Sequence, residues 1–289
     1  MATFGPGSRM VGGLIDFNGS SNSINLGHCC IIQPNVQLLF KGNYNTLDLQ
    51  NNCRMISGFK VTYEKDGNYL YAGPNSRFLS TSSLKFNSFN GLIFLCGNQS
   101  INNIDGQVQN GNILFIGERT SNSGEVHFWV FGAKNLLIGA NVLLSRFIYF
   151  RTYDGHLIYD KDTKKRINQP KSIIVGDHVW IGQSTTLLKG SHIEDGSVIG
   201  SNSIVTRHIP KNCIAAGSPS KVIKNEIIWD GVCDGGFSNA EQLEYESYKE
   251  PDLVYKPIGY ENLLKIDMIN PDIVAKEKVK LIQQIINDG

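Results

Sequence analysis

Residues 175–205 read VGDHVWIGQSTTLLKGSHIEDGSVIGSNSIV, and every sixth position is a branched aliphatic: Val175, Ile181, Leu187, Ile193, Ile199 and Val205. Four residues after each of the first five stands a short or β-branched residue: Val179, Thr185, Ser191, Ser197 and Ser203. A period of six is neither the 3.6 of a helix nor the alternation of a lone strand. It fits a solenoid in which each short strand forms one wall and then turns a corner, with an aliphatic wedge filling a narrow core.

A looser version of the pattern runs through the first half. An aliphatic, any residue, then a small or aliphatic residue recurs at Ile24/Leu26, Leu47/Leu49, Leu70/Ala72, Ile93/Leu95, Leu114/Ile116 and Leu136/Ile138, with spacings of 23, 23, 23, 21 and 22. Asn52, Asn75, Asn98 and Asn141 each follow a pair by three residues, where a tight corner needs a residue that tolerates positive φ. Ile173/Val175 repeats the pair 37 residues after Leu136/Ile138, and removing a 19-residue excursion, 153–171, leaves the 18 of three hexapeptides. The expected fold is all-β: a parallel β-helix with one extruded loop and a short helical tail. A β-sandwich also offers many short strands, but nothing obliges it to keep a fixed period.

This reading divides the chain into four parts. Residues 1–19, rich in Gly and Ser, read as an N-terminal arm, with a cloning remnant as one reading. Residues 20–135 are irregular β-helix coils, 136–225 the hexapeptide β-helix with loop 153–171, and 226–289 a tail. In the tail, Asn270-Pro271-Asp272 supplies an N-cap, a first-turn proline and an early acid, so a helix is expected near 271–287. It is read as a cap over the open end of the solenoid, with a partner-binding or trimer-stabilising element as the alternative.

The formal charge of +1 gives no electrostatic case for nucleic acid. No apolar run approaches a membrane span, no leader is apparent, and the six cysteines show no metal-type spacing. A cytoplasmic protein with reduced thiols and no metal is expected.

Chemistry is sought where the repeat breaks. The excursion holds Asp154-Gly155-His156, a histidine close to a carboxylate and a glycine, and histidine is the natural general base near neutral pH. His178 and His192 occupy outward or corner positions, while His28, His127 and His208 show no partner pattern and receive no role.

The runs Asp154-Gly155-His156-Leu157-Ile158-Tyr159-Asp160, Val175-Gly176-Asp177-His178-Val179-Trp180-Ile181-Gly182, Ile199-Gly200-Ser201 and 214–224 together resemble the hexapeptide-repeat acyltransferases. These are left-handed parallel β-helices, usually trimers, that use acetyl-CoA. Within them the likeness is greatest to bacterial capsular polysaccharide and polysialic acid O-acetyltransferases, its motifs covering about residues 136–229. The resemblance implies His156 as the base that deprotonates the acceptor hydroxyl, and Trp180, 24 residues later, as the aromatic lining the acetyl and acceptor site. It places the oxyanion-stabilising N–H near Gln183, and Ser201, Thr206, Arg207, Lys221 and Lys224 along the CoA. Gln183 replaces a smaller residue, Arg207-His208 stands where Lys-Asp is frequent, and the last two basics are lysine where arginine also occurs. The implied activity is direct transfer of acetyl from acetyl-CoA to a polysaccharide hydroxyl by a homotrimer. Arg146, Arg151 and Asp154 are candidate acceptor contacts, and the basic rim they form with Lys161, Lys164, Lys165 and Arg166 suits an anionic glycan. An N-acetyltransferase on an amino sugar, a γ-carbonic-anhydrase-like zinc enzyme and a non-catalytic glycan-binding solenoid are the alternatives.

Overall fold

The computed structural model describes residues 1–79, 81–232, 235–248 and 255–288. Short parallel strands stack into three walls of ten, eleven and nine strands, visited in turn by each coil. The six hexapeptide aliphatics serve the walls twice over. Val175 pairs with Ile193 on the first wall, Ile181 with Ile199 on the second and Leu187 with Val205 on the third. All six are fully buried. The short residues fill the corners, where Ser191 Oγ donates to the Val205 carbonyl at 2.8 Å and Ser197 Oγ to that of Pro210 at 2.7 Å.

The looser pairs lie in register on the first wall: Ile24, Leu47, Leu70, Ile93, Leu114, Leu136 and Ile173 are successive Cα partners. Asn52, Asn75, Asn98 and Asn141 have φ of 61°, 60°, 51° and 54°, as corner residues must. Another corner, from third wall to first, is built on buried amides. Asn22 Oδ1 accepts the Asn45 N–H, Asn45 Oδ1 that of Asn68, and Asn68 Oδ1 that of Gly91, each at 2.8 Å. This gives the corner's backbone N–H groups an acceptor coil after coil.

Three expectations are corrected. Residues 1–19 are not an arm: Ala2–Phe4, Arg9–Met10 and Leu14–Phe17 pair with the next coil on all three walls. The tail forms three helices, α1 (Asn239–Glu244), α2 (Tyr260–Asp267) and α3 (Ala275–Asp288), and Asn270 caps a separate turn, its Oδ1 accepting the Asp272 N–H, before α3 begins. These helices do not cover the open end. α2 and α3 lie along the outer face of the first wall, burying Leu92, Phe94, Ile113, Phe115, Leu137 and Ile174. Lys278 is fully buried on α3, and its ammonium donates to the carbonyls of Asn90, Gly111 and Pro271. Cys29, Cys30, Cys53, Cys96 and Cys213 are free thiols, and Cys233 lies outside the described residues. No described helix is long and apolar enough to cross a membrane.

Candidate active site

The excursion leaves the corner between the third and first walls and is closed at its base by the Lys171 N–H donating to the Thr152 carbonyl at 3.1 Å. Its organiser is Asn168, which is nearly buried and which the sequence alone did not single out. Asn168 Nδ2 donates to Asp154 Oδ2 at 2.9 Å and to the His156 carbonyl at 2.7 Å, while its Oδ1 accepts from the Ile158 N–H and from Arg166 Nε. Lys189, on the neighbouring coil, donates to Asp154 Oδ2. Partial burial opposes the Asp154 charge, but Lys189, Asn168 and the field of Arg151 outweigh it and hold the carboxyl below the usual range. The backbone on either side of His156 is therefore fixed while the residue itself is exposed. No hydrogen bond or ring contact engages its imidazole among the described residues.

Trp180 sits on the second wall, 43 % exposed. A coil of three walls is triangular, so the second wall faces away from the corner that carries His156. The chain thus does not bring His156 and Trp180 together. Instead Trp180 meets Trp229 of the tail, ring centroids 6.1 Å apart. Trp229 is itself fixed: it stacks on His178 at 4.1 Å, its Nε1 donates to the His178 carbonyl at 2.9 Å, and His178 Nε2 lies 3.0 Å from the Trp229 carbonyl. Asn141 Nδ2 lies 2.9 Å from His178 Nδ1, so both ring nitrogens of His178 have a polar partner.

The candidate CoA residues divide between places. Gln183 and Ser201 form a column with the candidate acceptor contact Arg146 on the corner between second and third walls, where Arg146 Nε donates to Gln183 Oε1 at 3.1 Å and the Asn202 N–H to the Gln183 carbonyl at 2.8 Å. Thr206 and Arg207 lie on the third-to-first corner, the one that carries the excursion. Lys221 and Lys224 follow on Ser220–Lys224, the strand folded back antiparallel on Ile214–Gly217. Ser201, Thr206, Arg207, Lys221 and Lys224 are all exposed. Arg151 turns from the rim to lie over Trp129 at 5.2 Å and Tyr153 at 5.8 Å, and Arg166 is spent on Asn168, so the free cations of the rim are lysines.

Histidines without a sequence pattern have partners here. His127 stacks on Tyr149 at 4.6 Å with Nε2 2.6 Å from Glu125, and His208 Nε2 lies 2.8 Å from Glu194 Oε1. His178 and His192 also have partners: His178 as above, and His192 Nδ1 lies 2.9 Å from the Tyr260 hydroxyl.

Residues 172–207 match the family model of the bacterial transferase hexapeptide (six repeats). The chain has the fold of the left-handed β-helix acetyltransferases and is similar in sequence to proteins named as acetyltransferases. Over 119 residues it is 38 % identical to the polysialic acid O-acetyltransferase of Escherichia coli O1:K1 / APEC, covering 41 % of this chain and 38 % of that protein. Over 172 residues it is 27 % identical to the polysialic acid O-acetyltransferase of Neisseria meningitidis, covering 60 % of this chain and 68 % of that one. The solved structure of the polysialic acid O-acetyltransferase OatWY superposes with a TM-score of 0.55 at 21 % identity, over 86 % of this chain and all of that one, which fixes the fold.

Proposed function

We propose that this protein is an acetyl-CoA-dependent O-acetyltransferase acting on a hydroxyl of a bacterial surface polysaccharide, with His156 as general base. The observation that carries the reading is the excursion, which clamps the backbone around His156 through Asn168, Asp154 and Lys189 and leaves the imidazole free to take a proton. The names of the similar proteins supply the substrate class.

In the reaction, His156 removes the proton of the acceptor hydroxyl as its oxygen bonds to the acetyl carbonyl carbon. The carbon–sulfur bond breaks, and the imidazolium returns its proton to the departing CoA thiolate. An N–H donor near Gln183 meets the transient oxyanion. Arg207, Lys221 and Lys224, being exposed cations, suit the CoA phosphates. Because His156 and Trp180 sit on opposed sides of one chain, the site is completed between subunits of a homotrimer, His156 from one facing Trp180 of the next.

The test is incubation with labelled acetyl-CoA and a panel of neutral, anionic and amino-sugar glycans. Wild-type protein labels a glycan hydroxyl, and His156→Ala loses a factor of about 10² to 10⁴ in rate with its melting temperature unchanged. Mixing and reassembling inactive His156→Ala and Trp180→Ala proteins restores part of the activity if the site is shared. Turnover near wild type in His156→Ala removes this residue from the mechanism, and no recovery on mixing removes the shared site.

A further inference from the structure

A cavity of about 720 Å³ lies on the second wall, bordered on the tail side by Trp229, Phe237, Tyr245 and Tyr248. That volume is in the range of small-molecule sites. The tail contributes the rings of Trp229, Tyr245 and Tyr248, and the solenoid contributes Trp180 and the hydroxyls of Ser121, Ser123 and Ser145. Flat aromatic faces beside hydroxyl groups match a sugar ring, whose C–H faces stack on aromatics while its own hydroxyls point outward to hydrogen-bond. Trp229 is pre-set for this by its stack on His178 and two reciprocal hydrogen bonds, so little freedom is lost when a ligand arrives.

Charge decides what kind of sugar. No lysine, arginine or histidine is among the described residues that line the cavity, and its one ionisable acid is the Asp230 carboxylate. A CoA diphosphate or a sialic acid carboxylate placed there would be desolvated beside a like charge with no cation to meet it. The cations of the chain's candidate site, Arg207, Lys221 and Lys224, are elsewhere.

We propose that this cavity holds an uncharged sugar unit of the acceptor, stacked on Trp180 and Trp229, so that the chain is selective for a neutral glycan. The proposal rests on the acetyltransferase reading and departs from the two relatives named above, which are named for polysialic acid. It also reverses the preference that the basic rim suggests.

Two of the protein's three tryptophans line the cavity, which gives a readout independent of catalysis. In Trp129→Phe protein, neutral trisaccharides of hexose and N-acetylhexosamine should change the tryptophan emission saturably, and trisialic acid should not. Trp229→Ala should abolish that response. In kinetics, Trp229→Ala and Tyr248→Ala should each raise the acceptor KM about tenfold, the effect of losing one aromatic face, with the KM for acetyl-CoA unchanged. Asp230→Asn should narrow the discrimination against trisialic acid. Equal or tighter response to trisialic acid, or an unchanged acceptor KM in both aromatic variants, overturns the proposal. Saturable binding of neutral sugar with no labelled acetyl transferred to any glycan overturns the acetyltransferase reading and leaves the sugar site standing.

Discussion

Before residue 152 the rungs of the solenoid recur every 21 to 23 residues, and most of the first- and third-wall strands are four or five residues long; after residue 172 the rungs recur every 18, or every 16 at the last, and the strands up to His208–Ile209 shorten to two or three. The same column of the third wall is Phe128 and Phe150 in the wide coils and Leu187 and Val205 in the narrow ones. A second wide-coil column stacks Phe17, Phe40, Tyr63 and Phe86 ring on ring at 4.6 to 4.9 Å. At the third-to-first corner a ladder of buried asparagine amides gives way to Ser172 and Ser191. Coil width thus follows from what fills the wall and what closes the corner. The excursion is extruded at the change of width, and the implied chemistry falls on the narrow coils.

The largest effects should separate these halves. Phe40→Ala empties a fully buried aromatic position and should cost about 3–5 kcal/mol of stability. Because a solenoid coil contacts chiefly its neighbours, acetyl transfer well below the melting transition should be unchanged. Leu187→Ala, at about 2–5 kcal/mol, should also cost activity, since its strand delivers Lys189 to Asp154 and so holds the loop of His156. Denaturant melts beside turnover at 25 °C check both, and parallel losses of activity would dissolve the distinction.

That difference also explains what the sequence made legible. In the narrow coils one aliphatic per wall suffices, so the period of six is strict and 175–205 announces the fold. In the wide coils the core is shared among Leu, Ile, Phe and Tyr, and only the pairs ending in Leu26 through Ile138 keep register, which is why Ala2–Phe4 carries no strand signal in the sequence. The covering of the first wall had a signal: Leu92–Leu95 and Ile113–Ile116 are apolar at every position, the mark of a strand buried on both faces. His156 and Trp180 stood out through a break in the repeat and a family likeness. Asn168, Lys189 and Trp229 did not, because their roles come from contacts with residues 14, 35 and 51 positions away.

The corners offer a smaller contrast. Asn68→Leu leaves the buried Gly91 N–H without its acceptor and should destabilise by about 1–3 kcal/mol. Ser191→Ala removes a donor to the Val205 carbonyl and should cost about 0.5–1.5 kcal/mol. Urea midpoints measured on both variants rank the two corners, and equal losses would mean that the amide ladder adds nothing beyond a single hydroxyl bond.

The seam between the wide coils and the tail can be probed at Lys278. Burial lowers its pKa to about 8, with Asp272 opposing the shift. A lysine depressed from 10.5 binds protons more weakly folded than unfolded, so stability should rise as pH goes from about 8 towards 10.5. Lys278→Met removes that rise and leaves three carbonyls unpaired, so hydrogen exchange in α3 should quicken while the hexapeptide coils keep their protection. Unchanged exchange in α3 would mean that the lysine does not anchor it.

The smallest effect is expected where the tail meets the narrow coils. Burial lowers the pKa of His192 below the usual 6.5, the nearby Asp267 partly restoring it and His208 adding to the fall. A histidine depressed in the folded state contributes stability that is present above pH 6.5 and lost as pH falls through its lower folded value. Protonation would also take Nδ1 from the Tyr260 hydroxyl as an acceptor and loosen the start of α2. Asp177, which accepts the Gly259 N–H at 2.7 Å in the same place, works the other way. Burial raises its pKa and that of Asp195, so each binds its proton more tightly when folded and acidification stabilises them. The two tendencies partly cancel, which is why the net effect is small. Removing one should expose the other: relative to the intrinsic exchange rate at each pH, α2 amide exchange should accelerate modestly from pH 7 to 5.5 in the wild type, and in His192→Gln it should stay level or slow. Acceleration that survives in His192→Gln would place the acid sensitivity of this seam in a group other than His192.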